Sequence, residues 1–216
     1  MKNEPIWRIK SEPTEFPCLD VNYDVDVAII GGGITGITLA CLLKRTGLKT
    51  AVLEARKVAK GTTGQSTGNL YELTEYSLKE LHSKYDIPTL RKIILSRREA
   101  MNLIEKNIRD LEIDCDFKRV NMYLFEQNHS ISIKEEQEIA KELPIEFQRI
   151  HDPEFPFSFD SGIVYPDQAQ INPLKYVEAL ANETHDDTCL IFENTRVVEI
   201  EEKDDFILLH TEKARM

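Results

Sequence analysis

The sequence has little of what would indicate a metalloprotein or a disulfide-stapled protein. It contains four cysteines in 216 residues, and no two of them are close enough to form a CxxC pair. This spacing gives no zinc or iron–sulfur signature, and it favours reduced thiols in a cytoplasmic protein. The five histidines are scattered without metal-ligand spacing, so we expect no metal site.

Long apolar runs and an excess of positive charge are also missing. No run approaches the roughly 18 apolar residues that a membrane span needs, and the N-terminal residues lack the apolar core of a secretory signal. With 27 basic against 38 acidic residues, the net charge is −11, which disfavours binding to nucleic acids or anionic membranes. The remaining class is a globular protein long enough to bury a sizeable core.

The most regular pattern begins at Asp26, where a short apolar run ends in three glycines. Val27–Ile30 predicts a strand that is buried on both faces of a parallel sheet. The apolar spacing that follows predicts a helix over 34–46, with Gly47 at its C-terminal cap. A second strand is predicted over 50–54. These elements together predict one βαβ unit of an α/β protein.

The turn over residues 31–36 reads GGGITG and satisfies the pattern G-x-G-x-x-G. Gly31 allows the tight turn, Gly33 lets a pyrophosphate approach the backbone, and Gly36 lets the helix pack closely against the strands. The helix N-terminus offers N–H groups and the positive end of its dipole to the phosphates. The pattern therefore predicts a dinucleotide site. The alternative is a glycine turn without a ligand.

Glu54 supports the dinucleotide interpretation, because it ends the second predicted strand about twenty residues after the glycine turn. A carboxylate at this point accepts hydrogen bonds from the adenosine ribose, and it repels a 2′-phosphate, which disfavours NADP. Periodicity alone does not decide between NAD and FAD.

The rest of the chain predicts further helices and strands after a polar N-terminal arm, for which Trp7 and Phe16 are the expected anchors onto the body. Helices are predicted over 71–84, 88–111, 132–143 and 172–181. Strands are predicted over 120–125, 145–150, 162–165, 190–192, 196–201 and 206–211.

The extended pattern around the glycine turn resembles that of flavoproteins, and more specifically the FAD-dependent amino-acid oxidase family, which includes D-amino-acid dehydrogenases and glycine oxidase. Residues 60–70, KGTTGQSTGNL, are similar to that family's second FAD loop. Residues 166–174, PDQAQINPL, and the region of Trp7 and residues 17–19 resemble a bacterial branch that often carries a C-terminal Rieske domain. No paired CxH and CxxH ligands of such a domain occur here.

The resemblance implies a set of residues that bind FAD through its pyrophosphate, adenosine, ribityl chain and ring. They are Gly31, Gly33, Ile34, Thr35, Gly36, Glu54, Ala55, Arg56, Thr62, Thr63, Gln65, Ser66, Thr67, Gly68, Leu70 and Val197. Some relatives carry a flavin-linking histidine in this loop, whereas this chain has Gln65, so the FAD is expected to be non-covalent. The alternative interpretation of residues 61–70 is a flexible surface loop.

The resemblance also implies the fold class: α/β, with a Rossmann-type FAD-binding domain and an inserted α+β substrate domain. The expected domains are an arm over 1–19, a discontinuous FAD-binding domain over 20–85 and 167–216, and a substrate-domain portion over 86–166. Family members continue well beyond this length, so we expect the chain to be truncated at its C-terminus.

The implied function is that of an FAD-dependent oxidoreductase that oxidises a small-molecule amine or amino acid by hydride transfer to flavin N5. No catalytic residue is assigned. Two alternatives stay open. One is a non-catalytic FAD- or dinucleotide-binding fragment, or half of an enzyme that a second chain completes. The other is an NAD-dependent dehydrogenase, which leaves the loop over 61–70 unexplained.

Overall fold

A computed structural model describes residues 5–7, 14–126, 132–150 and 155–216 of the chain. The helices in these ranges are α1 Ile34–Lys44, α2 Leu78–His82, α3 Ile87–Asp110, α4 Ile133–Ala140 and α5 Pro173–Thr184. The strands are β1 Val27–Ile30, β2 Thr50–Leu53, β3 Asn69–Leu70, β4 Lys118–Glu126, β5 Gln148–Ile150, β6 Ser161–Gln170, β7 Cys189–Phe192, β8 Val197–Glu202 and β9 Ile207–Thr211. None of these helices is both long and apolar enough to cross a membrane.

The first sheet is parallel, with strand order β1-β2-β7. Its central strand β2 is buried along its whole length. Among the described residues β1 pairs with β2 alone, and Ile30 is 53% exposed. Ile29 is the one fully buried residue of β1, so the expectation that Val27–Ile30 is buried on both faces is wrong; β1 lies at the edge of the sheet described here.

The second sheet is antiparallel, with order β3-β6-β4 and with β5 also paired to β6. The predicted strand over 162–165 is only the first half of β6. Pro166 and Asp167 lie where the pairing with β4 shifts register, and Asp167 has φ +58°. A proline is tolerated at such a bulge because the ladder needs no N–H there. The strand therefore continues past residues that usually end one.

Helix formation differs from the prediction over 71–84, where α2 covers Leu78–His82 alone. Ser77 caps this helix in a capping box with Glu80. Glu72, in the preceding segment, takes tertiary partners: its N–H donates to the Gln168 side chain at 2.8 Å and its carboxylate pairs with Arg98. These contacts hold the segment outside a helix.

The chain divides into two compact units. The first comprises 1–68, 107–115 and 172–216, and the second comprises 69–106 and 116–171. Each unit has its own buried apolar cluster. These bounds differ from the functional domains predicted above, whose assignment to cofactor and substrate stays a prediction.

Two fully buried tyrosines differ in how their hydroxyl groups are satisfied. The Tyr176 hydroxyl accepts a hydrogen bond from Asn107 Nδ2 at 3.2 Å. The Tyr165 hydroxyl has no hydrogen-bond partner among the described residues, and burial raises the pKa of this phenol. A buried polar group without a partner carries a desolvation cost that no bond offsets.

We expect Tyr176→Phe to lower the free energy of unfolding by about 0.5–1.5 kcal/mol. The substitution removes a buried hydrogen bond and takes away the acceptor of the Asn107 side-chain amide. Tyr165→Phe should be neutral or stabilising. Equilibrium unfolding in urea measures both variants against the unchanged chain. A loss on Tyr165→Phe as large as that on Tyr176→Phe would contradict this prediction.

Candidate dinucleotide-binding site

In the glycine turn between β1 and α1, the backbone at the start of the helix lies very close to the backbone at the end of the strand. Gly31 has φ +106°, a conformation that residues with side chains rarely adopt, and its N–H donates to the Leu53 carbonyl at 2.9 Å. A Cβ at Gly36 would lie 2.0 Å from the Gly31 carbonyl oxygen. Only glycine lets the first turn of α1 lie against the end of β1 in this way.

The N-terminus of α1 has no side-chain cap at Gly33, and the first N–H groups of a helix lack acceptors within the helix. The Ile34 N–H donates to Thr63 Oγ1 at 3.1 Å. The Thr63 hydroxyl thus occupies the position of an acceptor oxygen at the helix N-terminus, which is where a phosphate oxygen binds in such turns. This contact brings two predicted site residues together.

Glu54 follows β2 and turns its carboxylate towards the glycine turn. Its Oε2 accepts a hydrogen bond from the Gly32 N–H at 2.8 Å, and its Oε1 accepts one from the Arg56 N–H at 2.8 Å. A carboxylate oxygen can accept two hydrogen bonds. Each oxygen of Glu54 therefore keeps capacity for a hydroxyl of a ribose.

The segment after Glu54 is tied to the same turn and to α5. The Ala59 N–H donates to the Gly32 carbonyl at 2.9 Å, and Ala59 has φ +59°. Lys60 forms an ion pair with Glu178 of α5 at 2.7 Å. Burial raises the pKa of the Glu178 carboxyl, against the opposing effect of Lys60. These contacts fix the entry to the loop over 61–68.

The predicted cofactor loop contains a short 3₁₀ helix, Thr63–Gln65, rather than irregular chain alone. The predicted residues with exposed side chains here are Arg56, Thr62, Gln65, Ser66 and Thr67. Gly68 is buried and has φ +73°. Leu70 lies in β3, in the second compact unit. The first unit therefore brings together the predicted site residues up to Gly68.

The segment that leads into β8 lies beside Glu54. The Thr195 N–H donates to the Glu54 carbonyl and the Asn194 N–H donates to the Arg56 carbonyl, both at 2.9 Å. Val197, the predicted adenine contact, is the half-buried first residue of β8. The chain thus returns to the first sheet next to the predicted ribose-binding acid.

Glu193, which the sequence pattern did not indicate, has a fully buried side chain in this region. It accepts hydrogen bonds from the Val58 N–H at 2.8 Å and from Lys57 Nζ at 2.6 Å. Leu53 and Phe192 are opposite each other in the sheet, so Glu54 and Glu193 leave neighbouring strands at the same edge. An acid directly after a buried apolar strand is the signal that could have pointed to it.

The arrangement fits a dinucleotide on its own geometry. The backbone at Gly33 is accessible to a ligand, because a Cβ placed there would contact one neighbouring atom of the described residues, Thr63 Oγ1 at 3.3 Å. The amides at the start of α1 suit a pyrophosphate, and Glu54 suits ribose hydroxyls. Negative charge on the ligand is met by amide groups and the helix dipole, so the net charge of −11 does not oppose binding here.

Comparison with known families agrees with this geometry. The family model described as FAD dependent oxidoreductase (DAO) matches residues 26–215. The chain is 30% identical over 199 residues to the putative Rieske 2Fe-2S iron-sulfur protein YhfW of Bacillus subtilis, covering 91% of this chain and 39% of that protein. The match confirms the predicted resemblance to the FAD-dependent amino-acid oxidase family.

Solved structures of similar fold include L-amino acid deaminase from Proteus myxofaciens, with a TM-score of 0.76, 18% identity, and coverage of 95% of this chain and 46% of that one. Glycine oxidase from Bacillus cereus has a TM-score of 0.69 and 19% identity, with coverage of 89% and 54%. At this identity the likeness concerns the fold, and it confirms the predicted α/β class. The chain spans about half the length of these proteins.

We expect Gly36→Ala to destabilise the chain and abolish FAD retention, because the new Cβ would collide with the Gly31 carbonyl. Leu39→Ala, at an exposed position of the same helix, is the control for a substitution in α1 outside the close approach. Thermal unfolding and the flavin absorbance retained after desalting measure both effects. Equal FAD retention by Gly36→Ala and the unchanged chain would show that this close approach is not needed.

Proposed function

Because the chain belongs to the FAD dependent oxidoreductase family, we propose that its glycine turn, Glu54 and the loop over 61–68 bind FAD for the oxidation of an amine or amino acid. One observation carries the proposal: the Glu54 carboxylate is hydrogen-bonded to the Gly32 N–H at the mouth of the glycine turn. The ribose-binding acid and the phosphate-binding turn are thereby held in one place.

The residues of this chain are proposed to bind and orient the cofactor. The amides at the start of α1, together with Thr63, take the pyrophosphate, and Glu54 takes the adenosine ribose. Val197 lies near the adenine, and residues 65–68 run past the ribityl chain. Gln65 provides no side chain for a covalent flavin link, so the cofactor is held by these non-covalent contacts.

The proposed substrate class rests on the family and on the similar proteins, two of which are named for oxidation or deamination of amino acids. Bound FAD supplies the hydride acceptor, N5, for a substrate carbon next to nitrogen, which leaves an imine. The chain spans about half of those proteins, so the oxidation is proposed for the whole protein. An NAD-dependent dehydrogenase is not favoured, because the matching family is FAD-dependent.

A second proposal is that another chain completes the active site. The exposed Ile30 on β1 favours it. In the described part of the chain β1 has a pairing partner on one side only, and an apolar side chain at such an edge suits pairing with a further strand. In that case the isolated chain retains FAD without oxidising an amine.

We expect the purified chain to retain FAD after desalting, and Glu54→Ala to weaken this binding. Loss of hydrogen bonds to a charged group, about 1.5–3 kcal/mol, corresponds to a rise in Kd of about ten- to hundredfold. Flavin absorbance and equilibrium dialysis measure the change, and acid denaturation should release all the flavin.

Glu183→Ala, an exposed acid on α5, is the control for the loss of a negative charge. Retention of NAD in place of FAD, or equal FAD affinity in Glu54→Ala and Glu183→Ala, would contradict the proposal. Adding amino acids and amines to the FAD-loaded chain in the absence of oxygen tests whether this chain oxidises them by itself. Bleaching of the flavin would show oxidation by this chain alone and would contradict the proposal that another chain is needed.

A further inference from the structure

A buried carboxylate joins the N-terminal arm to the segment that follows Glu54. Glu193 accepts two hydrogen bonds from the arm, from Thr14 Oγ1 at 2.8 Å and from the Phe16 N–H at 3.3 Å. It accepts two more from the Val58 N–H at 2.8 Å and from Lys57 Nζ at 2.6 Å. One fully buried side chain therefore holds two segments that are far apart in sequence.

Further contacts fasten the arm along the same edge. The Glu193 N–H donates to the Pro17 carbonyl at 2.9 Å, and the Leu19 N–H donates to Thr195 Oγ1 at 3.0 Å. Lys57 Nζ also donates to the Thr14 carbonyl at 3.2 Å. We call Trp7 and residues 14–19 the N-terminal strap.

The strap also reaches the loop over 61–68. The Trp7 indole N–H donates to the Ser66 carbonyl at 2.8 Å, which confirms Trp7 as an anchor. The Ser66 N–H and hydroxyl in turn donate to the Thr63 carbonyl, at 3.3 and 3.1 Å. Because Thr63 Oγ1 accepts from the Ile34 N–H, a continuous series of hydrogen bonds links Trp7 to the N-terminus of α1.

The contacts at Glu193 make the strap and the segment that follows Glu54 depend on each other energetically. A buried carboxylate is tolerated only while its oxygens are hydrogen-bonded. If the strap leaves, Glu193 loses two donors and must draw in water or shift. Either change disturbs Lys57 and Val58, and the next residue, Ala59, is bonded to Gly32 in the glycine turn. The strap thus acts on both loops of the cofactor site from outside it.

We propose that the N-terminal strap positions the FAD site, with Trp7 and Glu193 as positioning residues that hold the loops over 55–60 and 61–68. The proposal rests on FAD binding at the glycine turn, as proposed above. A strap that only adds stability would shift unfolding without changing cofactor affinity. The positioning role predicts a change in affinity among variants that stay folded.

Thr14→Val tests the Glu193 junction, because it removes the buried hydroxyl donor with little change of volume. We expect its Kd for FAD to rise about tenfold. Hydrogen exchange of the free chain should be faster over residues 56–66, with α5 unchanged as the reference helix of the same unit. Thr14→Ser keeps the hydroxyl and should restore both the affinity and the slower exchange.

Trp7 tests the loop end of the strap. It is the only tryptophan of the chain, so indole fluorescence reports on the strap alone. Flavins absorb in the range where indole emits, so Trp7 emission should fall on titration with FAD, with the same midpoint as FAD retention. Trp7→Phe serves as the fluorescence blank, and loss of its N–H donor should raise the Kd for FAD severalfold.

The outcomes separate this inference from the proposed function. If the unchanged chain binds FAD and Thr14→Val and Trp7→Phe bind it equally well, the strap has no positioning role. Lower thermal stability in these variants with an unchanged Kd would likewise overturn the inference. If the unchanged chain fails to bind FAD at all, the proposed function itself fails, and the positioning role fails with it.

Discussion

The site depends on the contact between Gly36 and the carbonyl of Gly31. A Cβ would lie 2.0 Å from that oxygen, so the first turn of α1 can meet the end of β1 only through a bare backbone. This approach fixes where the helix N-terminus points, and hence where its amides can meet an anion. Thr63, Glu54 and Ala59 then bond to groups whose positions this one contact has set.

Carboxylates organise the region around this contact by accepting backbone N–H groups, most of which come from segments that are distant in sequence. Glu54 accepts from Gly32 and Arg56, and Glu193 accepts from Phe16 and Val58. A charge-assisted hydrogen bond of this kind is stronger than a neutral one and demands a defined geometry. An acidic chain can therefore build a site for an anionic cofactor, because its acids are used to place amides rather than to line the phosphate position.

The features of the fold and of the site that can be predicted from the sequence are those that depend on residues close together in the chain. The glycine turn, Glu54, and the cap of α5 by Asn172, which accepts from two helix amides, all lie in short segments with their own steric or hydrogen-bonding logic. The length of β6 escaped prediction because Pro166 breaks strands except at a bulge, and the bulge depends on the register with β4. Glu193 escaped because its partners come from segments far away in the chain.

The boundary of the unit that carries the glycine turn is set by contacts between segments rather than by local composition. A composition-based boundary sets the polar arm over 1–19 apart from the body, since it has no regular apolar pattern. Yet Leu19 is buried in the core cluster with Leu53 and Phe192, and Thr14 satisfies a buried charge. An element that supplies donors to a buried carboxylate cannot be removed without leaving that charge unpaired. The described part of the arm over 14–19 therefore belongs physically to the unit that carries the glycine turn, although its sequence resembles a tail.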